Sequence, residues 1–309
     1  MASVLPAWLL HPATLALIGL AIGSFLNVVI HRLPSMLERD WWRDVRHQLA
    51  DEQSYRRVFG SAPPEPLQQS ATTLGSVIDT LAPLSLARPA STCPSCGHRI
   101  RAYENIPLVS WLLLRGRCSS CRARISIRYP VIEMLCGVLF AAIGWRMGGT
   151  QPQILLWCAF SAALLALAWI DWDTTVLPDA ITLPLLWAGL LSAALGWTID
   201  PVTALVGAAA GYLSLWAVYW FFKLATGKEG MGYGDFKLLA ALGAWLGWQA
   251  LLPIVLGASV IGAIVGIAMK LLGALREGRY VPFGPFLAGA GLVVMWVGTP
   301  ATLAWMGWV

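Results

Sequence analysis

The sequence predicts an all-α polytopic membrane protein with about eight transmembrane helices and a cytoplasmic, zinc-ribbon-like insert between the first two. Of the 309 residues, 58% are hydrophobic and only 12% are charged, and the mean hydropathy is +0.67. Charges concentrate in residues 31–129, which contain fourteen Arg, no Lys and eight acidic residues. Seventeen Trp and thirty Gly are typical of lipid interfaces and close helix contacts. This composition excludes a disordered chain, a collagen-like fibre and an ordinary water-soluble enzyme.

The predicted spans are apolar runs close to the ~20 residues needed to cross ~30 Å of hydrocarbon. The first run, from about Trp8 to Ile30, lacks the basic start and cleavage site of a secretory signal peptide, so we interpret residues 1–30 as the first transmembrane helix. Seven further runs lie near residues 131–147, 153–170, 180–198, 202–222, 236–250, 251–271 and 283–305. They predict a seven-helix transmembrane core over residues 130–309.

Positive charges in the short loops predict the orientation, because cytoplasmic loops are enriched in Lys and Arg. With a cytoplasmic insert, alternation places the loops near 171–179, 223–235 and 271–282 on the same side. Six positive residues lie in or beside these loops, namely Lys223, Lys228, Lys237, Lys270, Arg276 and Arg279. The opposite loops offer only Arg146. We therefore expect the insert, residues 31–129, to face the cytoplasm.

Four cysteines in the insert have the spacing of a metal site. Cys93 and Cys96 form one Cys-x-x-Cys pair, and Cys118 and Cys121 form another after twenty-one intervening residues. Each pair can bind one tetrahedral zinc from a tight turn. A reducing cytoplasm disfavours disulfides, although two disulfides remain the alternative if the orientation is reversed. We predict a structural Zn(Cys)4 site, because four protein ligands leave no position for a reactive water.

The rest of the insert and the other cysteines have simpler interpretations. Gly97 and Gly116 are expected to relieve the two cysteine turns. Cys136 and Cys158 lie in predicted spans and are interpreted as small buried hydrophobic residues. The amphipathic stretch from Leu37 to Phe59 could be a helix on the membrane surface, or a solvated helix or flexible linker. The role of residues 35–90 is not determined by the sequence.

Two carboxylates at the cytoplasmic ends of predicted spans are the candidate catalytic residues. Asp171 ends the third span, and Asp235 opens the sixth span directly after Gly232-Tyr233-Gly234. Ionisable side chains in membrane segments are costly and therefore mark candidate functional sites. Alternation puts both at similar depth on one face of the membrane, as an acid–base pair requires. Alternatively, Asp235 only caps the start of its helix. The two glycines of the motif either let the backbone approach a substrate peptide closely or allow close packing between helices.

Neighbouring charges suggest further roles. Asp179 is expected to cap the fourth span, and Asp173 could be a solvated interfacial acid. Lys237 is expected to reach lipid phosphates in preference to orienting Asp235. Asp235 begins a helix and Asp171 ends one, so the helix dipoles suggest Asp235 as the base and Asp171 as the acid.

Taken together, these motifs resemble the GxGD aspartyl peptidases of the type IV prepilin peptidase family. The resemblance rests on residues 23–34 (GSFLNVVIHRLP), the cysteine region 93–133, residues 171–178 (DWDTTVLP), residues 232–238 (GYGDFKL) and residues 281–286 (VPFGPF). It covers nearly the whole chain except about residues 35–90, and the blocks occur in the family's order. The family's fold implies an aspartyl peptidase core in the transmembrane part.

The resemblance implies two reactions on one substrate. A peptidase removes the basic leader of type IV prepilins and of the pseudopilins of type II secretion, at the cytoplasmic face of the bacterial inner membrane. A methyltransferase then transfers a methyl group from S-adenosylmethionine to the new N-terminal amine. The resemblance implies Asp171 and Asp235 as the catalytic pair. Expected partners are these substrates and membrane lipids, and not nucleic acid.

The residues that bind S-adenosylmethionine are not identified by the sequence, which lacks a glycine-rich dinucleotide-type turn. Arg101, Glu104 and Asn105 are candidates by position, but they could equally brace the zinc insert. Residues 207–211, a run of Gly and Ala, could receive the apolar helix of a substrate or pack against neighbouring helices.

Other functions remain open at the level of sequence. One is a peptidase that lacks the methyltransferase activity. Another is a non-catalytic zinc-ribbon membrane assembly factor, which would keep the cysteines without needing two matched aspartates. A transporter that uses intramembrane acids should show repeat symmetry, and we detect no internal repeat.

Overall fold

The computed structural model describes residues 6–147, 153–273 and 281–308, and this part of the chain is helical. The helices are α1 (Pro12–Ala50), α2 (Glu52–Phe59), α3 (Glu65–Asp79), α4 (Val109–Leu113), α5 (Arg128–Arg146), α6 (Ile154–Thr174), α7 (Asp179–Ala194), α8 (Pro201–Thr226), α9 (Tyr233–Leu246), α10 (Leu251–Leu271), α11 (Gly284–Val297) and α12 (Thr299–Trp305). Within these residues β pairing is limited to two isolated bridges in the cysteine region. The predicted all-α class is therefore confirmed.

In the described part of the chain, not all of the eight predicted spans are long and apolar enough by themselves to cross a membrane. Among the described residues, five helices are long and apolar enough to cross a membrane. The number is six if α11 and α12, which meet at a bend of 101°, form one span. The expectation of eight full-length spans is not confirmed. Two positively charged residues used to predict the orientation, Arg276 and Arg279, lie outside the described residues.

The shortfall arises from two short helices. α7 has 16 residues and α9 has 14, so at 1.5 Å per residue each is shorter than the ~30 Å hydrocarbon layer. The apolar run predicted as residues 236–250 is interrupted because Gly247 adopts φ 87° and ends α9. The run predicted as 180–198 is interrupted near Gly196, where φ is 69°. Hydropathy alone does not reveal these chain turns.

The chain divides into two compact units. The first unit comprises residues 1–26, 107–109 and 126–309, and the second comprises residues 27–106 and 110–125. Helix α1 is continuous through the boundary that the sequence placed after Ile30. Both predicted boundaries of the insert fall within four residues of the main divisions between the units.

Helix α9 is the central helix of the first unit. All side chains from Asp235 to Trp245 except Lys237 are buried, and α9 packs against α7, α8 and α11. A Cβ on Gly207 of α8 would overlap the carbonyl group of Gly243, so glycine is needed for this close approach. The buried members of the Gly/Ala run 207–211 therefore pack against α9.

Glycines also bring α1 and α5 together. A Cβ on Gly19 would lie 2.7 Å from the carbonyl oxygen of Cys136, and one on Gly23 would lie 2.6 Å from the Cα of Glu133. Cys136 is fully buried here and Cys158 nearly so, as expected for small hydrophobic residues. Helix α5 in turn packs against α6.

The second unit contains the polar half of α1, α2, α3 and the cysteine region. The guanidinium group of Arg32 donates to the Ser85 carbonyl at 3.0 Å, and that of Arg39 donates to the Ala82 carbonyl at 2.8 Å. These bonds fasten the segment after α3 to α1. The stretch from Leu37 to Phe59 lies in α1 and α2 apart from one residue between them, so it is helical and not a flexible linker.

Candidate active site and cysteine cluster

Asp171 lies in the last turn of α6, where the helix begins to unwind towards Thr175. The side chain is 5% exposed. Its Oδ2 accepts a hydrogen bond of 2.9 Å from the backbone N–H of Gly284, the first residue of α11. The carboxylate is therefore held between the end of one helix and the start of another.

Asp235 is the third residue of α9 and is 8% exposed. The N-cap of α9 is Gly232, so Asp235 is not the capping residue that one sequence alternative suggested. Asp171 and Asp235 are close enough to interact electrostatically. The structure thus brings together two acids that are separated by sixty-three residues of chain.

Leu177 packs against both Gly234 and Gly284, and neither position has room for a larger residue. A Cβ on Gly234 would lie 2.8 Å from the Leu177 Cβ. A Cβ on Gly284 would lie 2.6 Å from Oδ2 of Asp171 and 3.1 Å from Leu177 Cδ1. Gly232, in contrast, meets no side chain within 4 Å. The second glycine of the Gly-x-Gly-Asp motif is therefore a packing residue, whereas the first is sterically open.

Lys237 and Asp179 form an ion pair beside the two buried acids. Lys237 Nζ lies 2.7 Å from both carboxylate oxygens of Asp179. Asp179 is the first residue of α7 but makes no capping hydrogen bond at the helix start. Both expectations for these residues are thus wrong: Asp179 pairs with α9 instead of capping α7, and Lys237 binds that carboxylate instead of extending to lipid phosphates.

Asp173 is also paired. Its carboxylate lies 2.6 Å from the guanidinium group of Arg128, the first residue of α5. The Arg128 guanidinium carbon lies 4.7 Å from the centroid of the Trp169 ring, a cation–π distance. Asp173 is exposed to solvent, as considered from sequence, and its ion pair also connects α5 to the end of α6.

The structure removes the basis for assigning acid and base from helix ends. That argument considered only the helix to which each aspartate belongs. The amide of Gly284, at the start of α11, also faces Asp171, so both carboxylates lie at the positive end of a helix. The Gly284-Pro285 step in the sequence could have indicated that a helix begins there, because Pro is favoured in the first turn of a helix.

The four predicted metal ligands come together in the second unit. The ligand atoms of Cys93, Cys96, Cys118 and Cys121 all lie within 4.8 Å of one another. The Sγ atoms of Cys93 and Cys121 are 3.8 Å apart, and those of Cys96 and Cys118 are 4.0 Å apart. Tetrahedral zinc with Zn–S bonds of ~2.3 Å requires S···S distances of about 3.8 Å. The thiols therefore fit one tetrahedral ion.

Backbone amides prepare the cluster for an ion. The N–H groups of Ser95 and Cys96 lower the pKa of the Cys93 thiol to about 6. N–H groups of Cys121 and Ser120 likewise lower the pKa of Cys118. Because thiolates and not thiols bind zinc, these amides favour the binding form at Cys93 and Cys118. At Cys121, in contrast, the Ala123 amide is outweighed by the neighbouring thiols and by burial, which raise the pKa to about 11.

The two cysteine turns are equivalent hairpins, offset by 25 residues. Cys93 N–H donates to the His98 carbonyl, and Cys118 N–H donates to the Ala123 carbonyl. Each hairpin has a left-handed residue four positions after its first cysteine, namely Gly97 at φ 71° and Arg122 at φ 59°.

The expectation for Gly116 is therefore only partly right. Its φ of 65° is left-handed, but it precedes the second hairpin's ligands and is not the counterpart of Gly97. A Cβ on Gly116 would lie 2.9 Å from the indole carbon Cζ2 of Trp111. Gly116 thus makes room for the ring beneath the hairpin.

Glu104 braces the first hairpin. Its Oε2 accepts a 2.8 Å bond from the backbone N–H of Arg101 and lies 3.2 Å from His98 Nε2. The Arg101 amide, the Ser119 hydroxyl and His98 together lower the pKa of Glu104 to about 2. These contacts favour the bracing role over binding of S-adenosylmethionine for Arg101 and Glu104.

The fold and the two sites define a class: polytopic helical membrane proteins with a buried aspartate pair at helix ends and a separate four-cysteine cluster. Residues 17–147 match the model of the bacterial peptidase A24 N-terminal domain, which contains the cysteines. Residues 158–267 match the model of the type IV leader peptidase family, which contains both aspartates. The chain belongs to this family.

Named relatives support the same assignment along nearly the whole chain. Prepilin leader peptidase/N-methyltransferases from Stutzerimonas stutzeri and Aeromonas salmonicida (strain A449) are 47% and 49% identical to it. The alignments cover 94% and 93% of this chain and 91% and 90% of the relatives. The prepilin leader peptidase/N-methyltransferase from Pseudomonas aeruginosa is 46% identical over 94% of this chain and 91% of its own length. No solved structure matches the chain.

Proposed function

We propose that this protein is a bifunctional membrane enzyme, which cleaves the leader of type IV prepilins and pseudopilins and methylates the newly formed N-terminus. The observation that carries the peptidase assignment is that Asp171 and Asp235 are both buried and lie within electrostatic range of each other. The family membership and the names of the relatives support both activities.

The aspartate pair suits peptide hydrolysis. Two neighbouring carboxylates share one proton, because ionising both is costly. The ionised group takes a proton from water as the water oxygen bonds to the scissile carbonyl carbon. The protonated group assists the carbonyl oxygen, and the amine leaves with a proton as the C–N bond breaks. The Gly284 amide would fix the orientation of Asp171 during these transfers.

We assign methyl transfer to the same protein on the strength of its relatives. S-adenosylmethionine would supply the methyl group to the deprotonated N-terminal amine. We leave the residues that bind it unassigned. The residues suggested from sequence, Arg101 and Glu104, are engaged in bracing contacts.

We further propose that Cys93, Cys96, Cys118 and Cys121 bind a structural zinc ion. All four positions of a tetrahedral ion would be filled by thiolates, so the ion would stabilise the fold and not activate water. The second unit has no strand among its described residues, and a metal would link two hairpins that otherwise share few regular hydrogen bonds.

We propose the bacterial inner membrane as the location, with the aspartate pair and the insert facing the cytoplasm. Positive charges on one set of short loops support this orientation. We further propose that the short helices α7 and α9 also cross the bilayer, with tilting of the neighbouring helices or local thinning of the bilayer. Reporter fusions after Val176 and after Trp197, which flank α7, should then report opposite sides of the membrane, as should fusions after Thr226 and after Gly247, which flank α9.

The decisive experiment incubates purified, lipid-reconstituted protein with a prepilin and labelled S-adenosylmethionine. We expect loss of the leader and transfer of label to the shortened product. Asp171→Asn and Asp235→Asn should each abolish leader loss. Cleavage that survives both substitutions would contradict the proposed mechanism.

The same assay separates the alternatives. Cleavage without label transfer identifies a peptidase without the methyltransferase activity. Neither reaction, in protein that binds zinc, identifies a non-catalytic assembly factor. Asp200→Asn is the matched control, because Asp200 caps α8 through the Thr203 amide and Asn is an equally good cap.

A further inference from the structure

The second cysteine hairpin carries positive charge that the first hairpin lacks. The hairpins superimpose in hydrogen bonding at an offset of 25 residues: Ile100 N–H donates to Ser91, and Ile125 N–H donates to Gly116. At this offset Arg115, Arg117, Arg122 and Arg124 correspond to Ala90, Thr92, Gly97 and Arg99. The metal-binding turn itself therefore does not require Arg115, Arg117 or Arg122, whereas Arg124 has an arginine counterpart in the first hairpin.

Two of the arginines have backbone conformations that favour glycine. Arg115 adopts φ 53° and Arg122 adopts φ 59°. A residue with a Cβ atom is disfavoured there, and Gly97 occupies the equivalent position in the first hairpin without this cost. The guanidinium group of Arg122 thus needs an explanation other than local folding.

Arg115, Arg117 and Arg122 form what we term the arginine patch. Together with Leu113 they line an open concavity of about 410 Å³. In the described part of the chain none of the three forms an ion pair. The patch therefore offers donors that are free to bind an anionic group.

Exposed leucines border the patch. Leu112 is 66% exposed and Leu113 is 78% exposed, although both follow Trp111, which packs beneath the hairpin. Adjacent apolar side chains surrounded by arginine are the composition of segments that lie in a membrane interface. Neither a metal-binding role nor the packing of the hairpin accounts for two exposed leucines.

Chain connectivity keeps this segment close to a membrane. Ile125 closes the second hairpin, and the candidate span α5 begins at Arg128. A lipid surface therefore lies near the point where the chain leaves the hairpin, and it is a partner that can cover these apolar side chains. The positive charge of the patch complements anionic headgroups.

We propose that the arginine patch and Leu112–Leu113 bind the surface of an anionic phospholipid membrane. The guanidinium groups donate paired hydrogen bonds to headgroup phosphates, and the leucines enter the acyl-chain boundary. Binding holds the second hairpin, and with it the cysteine cluster, at the bilayer surface.

The test is hydrogen–deuterium exchange of the full-length protein in nanodiscs. One set of discs contains phosphatidylcholine alone, and the other also contains phosphatidylglycerol. We expect peptides within residues 109–125 to exchange roughly tenfold more slowly on the anionic discs, an order of magnitude consistent with several arginines near a charged surface. Equal exchange on the two lipids would overturn the proposal.

Variants identify the groups responsible. Arg117→Gln with Arg122→Gln should remove the difference between lipids. The matched double variant Arg57→Gln with Arg99→Gln, which removes two exposed arginines elsewhere in the second unit, should retain it. Leu112→Gln with Leu113→Gln should weaken protection on both lipids. Retained lipid dependence in the Arg117/Arg122 variant would exclude the patch.

Two further measurements complete the test. Zinc content, measured on each variant, verifies that the cysteine hairpins are intact. If the arginine variant loses zinc, the leucine variant and the unaltered protein decide the outcome. Inorganic phosphate added to phosphatidylcholine discs distinguishes a soluble ligand: protection by phosphate alone, equal to that on anionic discs, would contradict a membrane site.

Discussion

At the scale of residues, the candidate active site depends on two acids and on the absence of side chains around them. Asp171 and Asp235 are buried, and Gly234 and Gly284 leave the volume that Leu177 and the Asp171 carboxylate fill. Substitutions that change charge and substitutions that change volume therefore test different properties of the site.

The first prediction concerns the pH dependence of leader cleavage. If Asp171 and Asp235 share one proton, cleavage requires the singly protonated pair. We expect a bell-shaped profile that declines in acid, when both are protonated, and in alkali, when both are ionised. The measurement is kcat/KM for a prepilin between acidic and alkaline pH. A rate that stays constant to high pH would contradict proton sharing.

The second prediction distinguishes the two glycines of the Gly-x-Gly-Asp motif. Gly234→Ala should lower cleavage by roughly tenfold or more, because its Cβ would overlap Leu177, and overpacking costs about 1–3 kcal/mol. Gly232→Ala should retain activity, since its Cβ would approach only the Gly234 backbone nitrogen, at 4.0 Å, an ordinary van der Waals distance. Equal loss in both variants would indicate that the motif contacts substrate through its backbone.

Gly284 provides the same kind of comparison within one helix. Gly284→Ala should impair cleavage, because its Cβ would displace the Asp171 carboxylate. Gly289→Ala is the matched control on α11, where nothing lies within 4 Å of the added Cβ. Circular dichroism and thermal unfolding should show both variants folded. Impairment of both would point to a general effect of stiffening α11.

At the scale of elements, the ion pair between Lys237 and Asp179 connects α9 to α7 next to the catalytic candidates. We predict that Lys237→Ala and Asp179→Ala each reduce kcat more than they raise KM, because both loosen the placement of Asp235. Their side chains are 29% and 54% exposed, so the stability loss should be under about 1 kcal/mol.

The charge-reversed double variant tests this interpretation. Lys237→Asp with Asp179→Lys restores opposite charges and should recover part of the lost kcat. Equal kcat losses in the single and the double variants would show that the pair has no positioning role. Lys228→Ala, an exposed lysine in the loop before α9, is the control and should leave kcat unchanged.

At the scale of the whole molecule, the aspartates lie in the first unit and the cysteines in the second. We predict that removal of zinc by a chelator under reducing conditions increases hydrogen exchange in residues 88–125 and leaves residues 160–175 protected. Cys118→Ser should have the same effect, because three ligands no longer complete the tetrahedron. Cys158→Ser, at a buried position in α6, should leave zinc content unchanged. Simultaneous loss of protection in both regions would show that one cooperative fold links them.

Sequence reasoning was most successful where chemistry depends on spacing. The two Cys-x-x-Cys pairs predicted one cluster, and the four ligand atoms indeed lie within 4.8 Å of one another. Hydropathy predicted helices at the correct places, because apolar length and helix formation are both local properties. It did not predict that the chain turns at Gly247 and Gly196, so α9 and α7 are shorter than the predicted spans.

What the sequence by itself determined is the helical membrane class, the cysteine cluster and the identity of the two candidate acids. Tertiary structure alone decided that Gly284 faces Asp171, that Lys237 pairs with Asp179 and that Leu177 separates two glycines. The physical reason is that local propensity and spacing act along the chain, whereas these contacts join helices whose packing depends on side-chain volumes across the whole core.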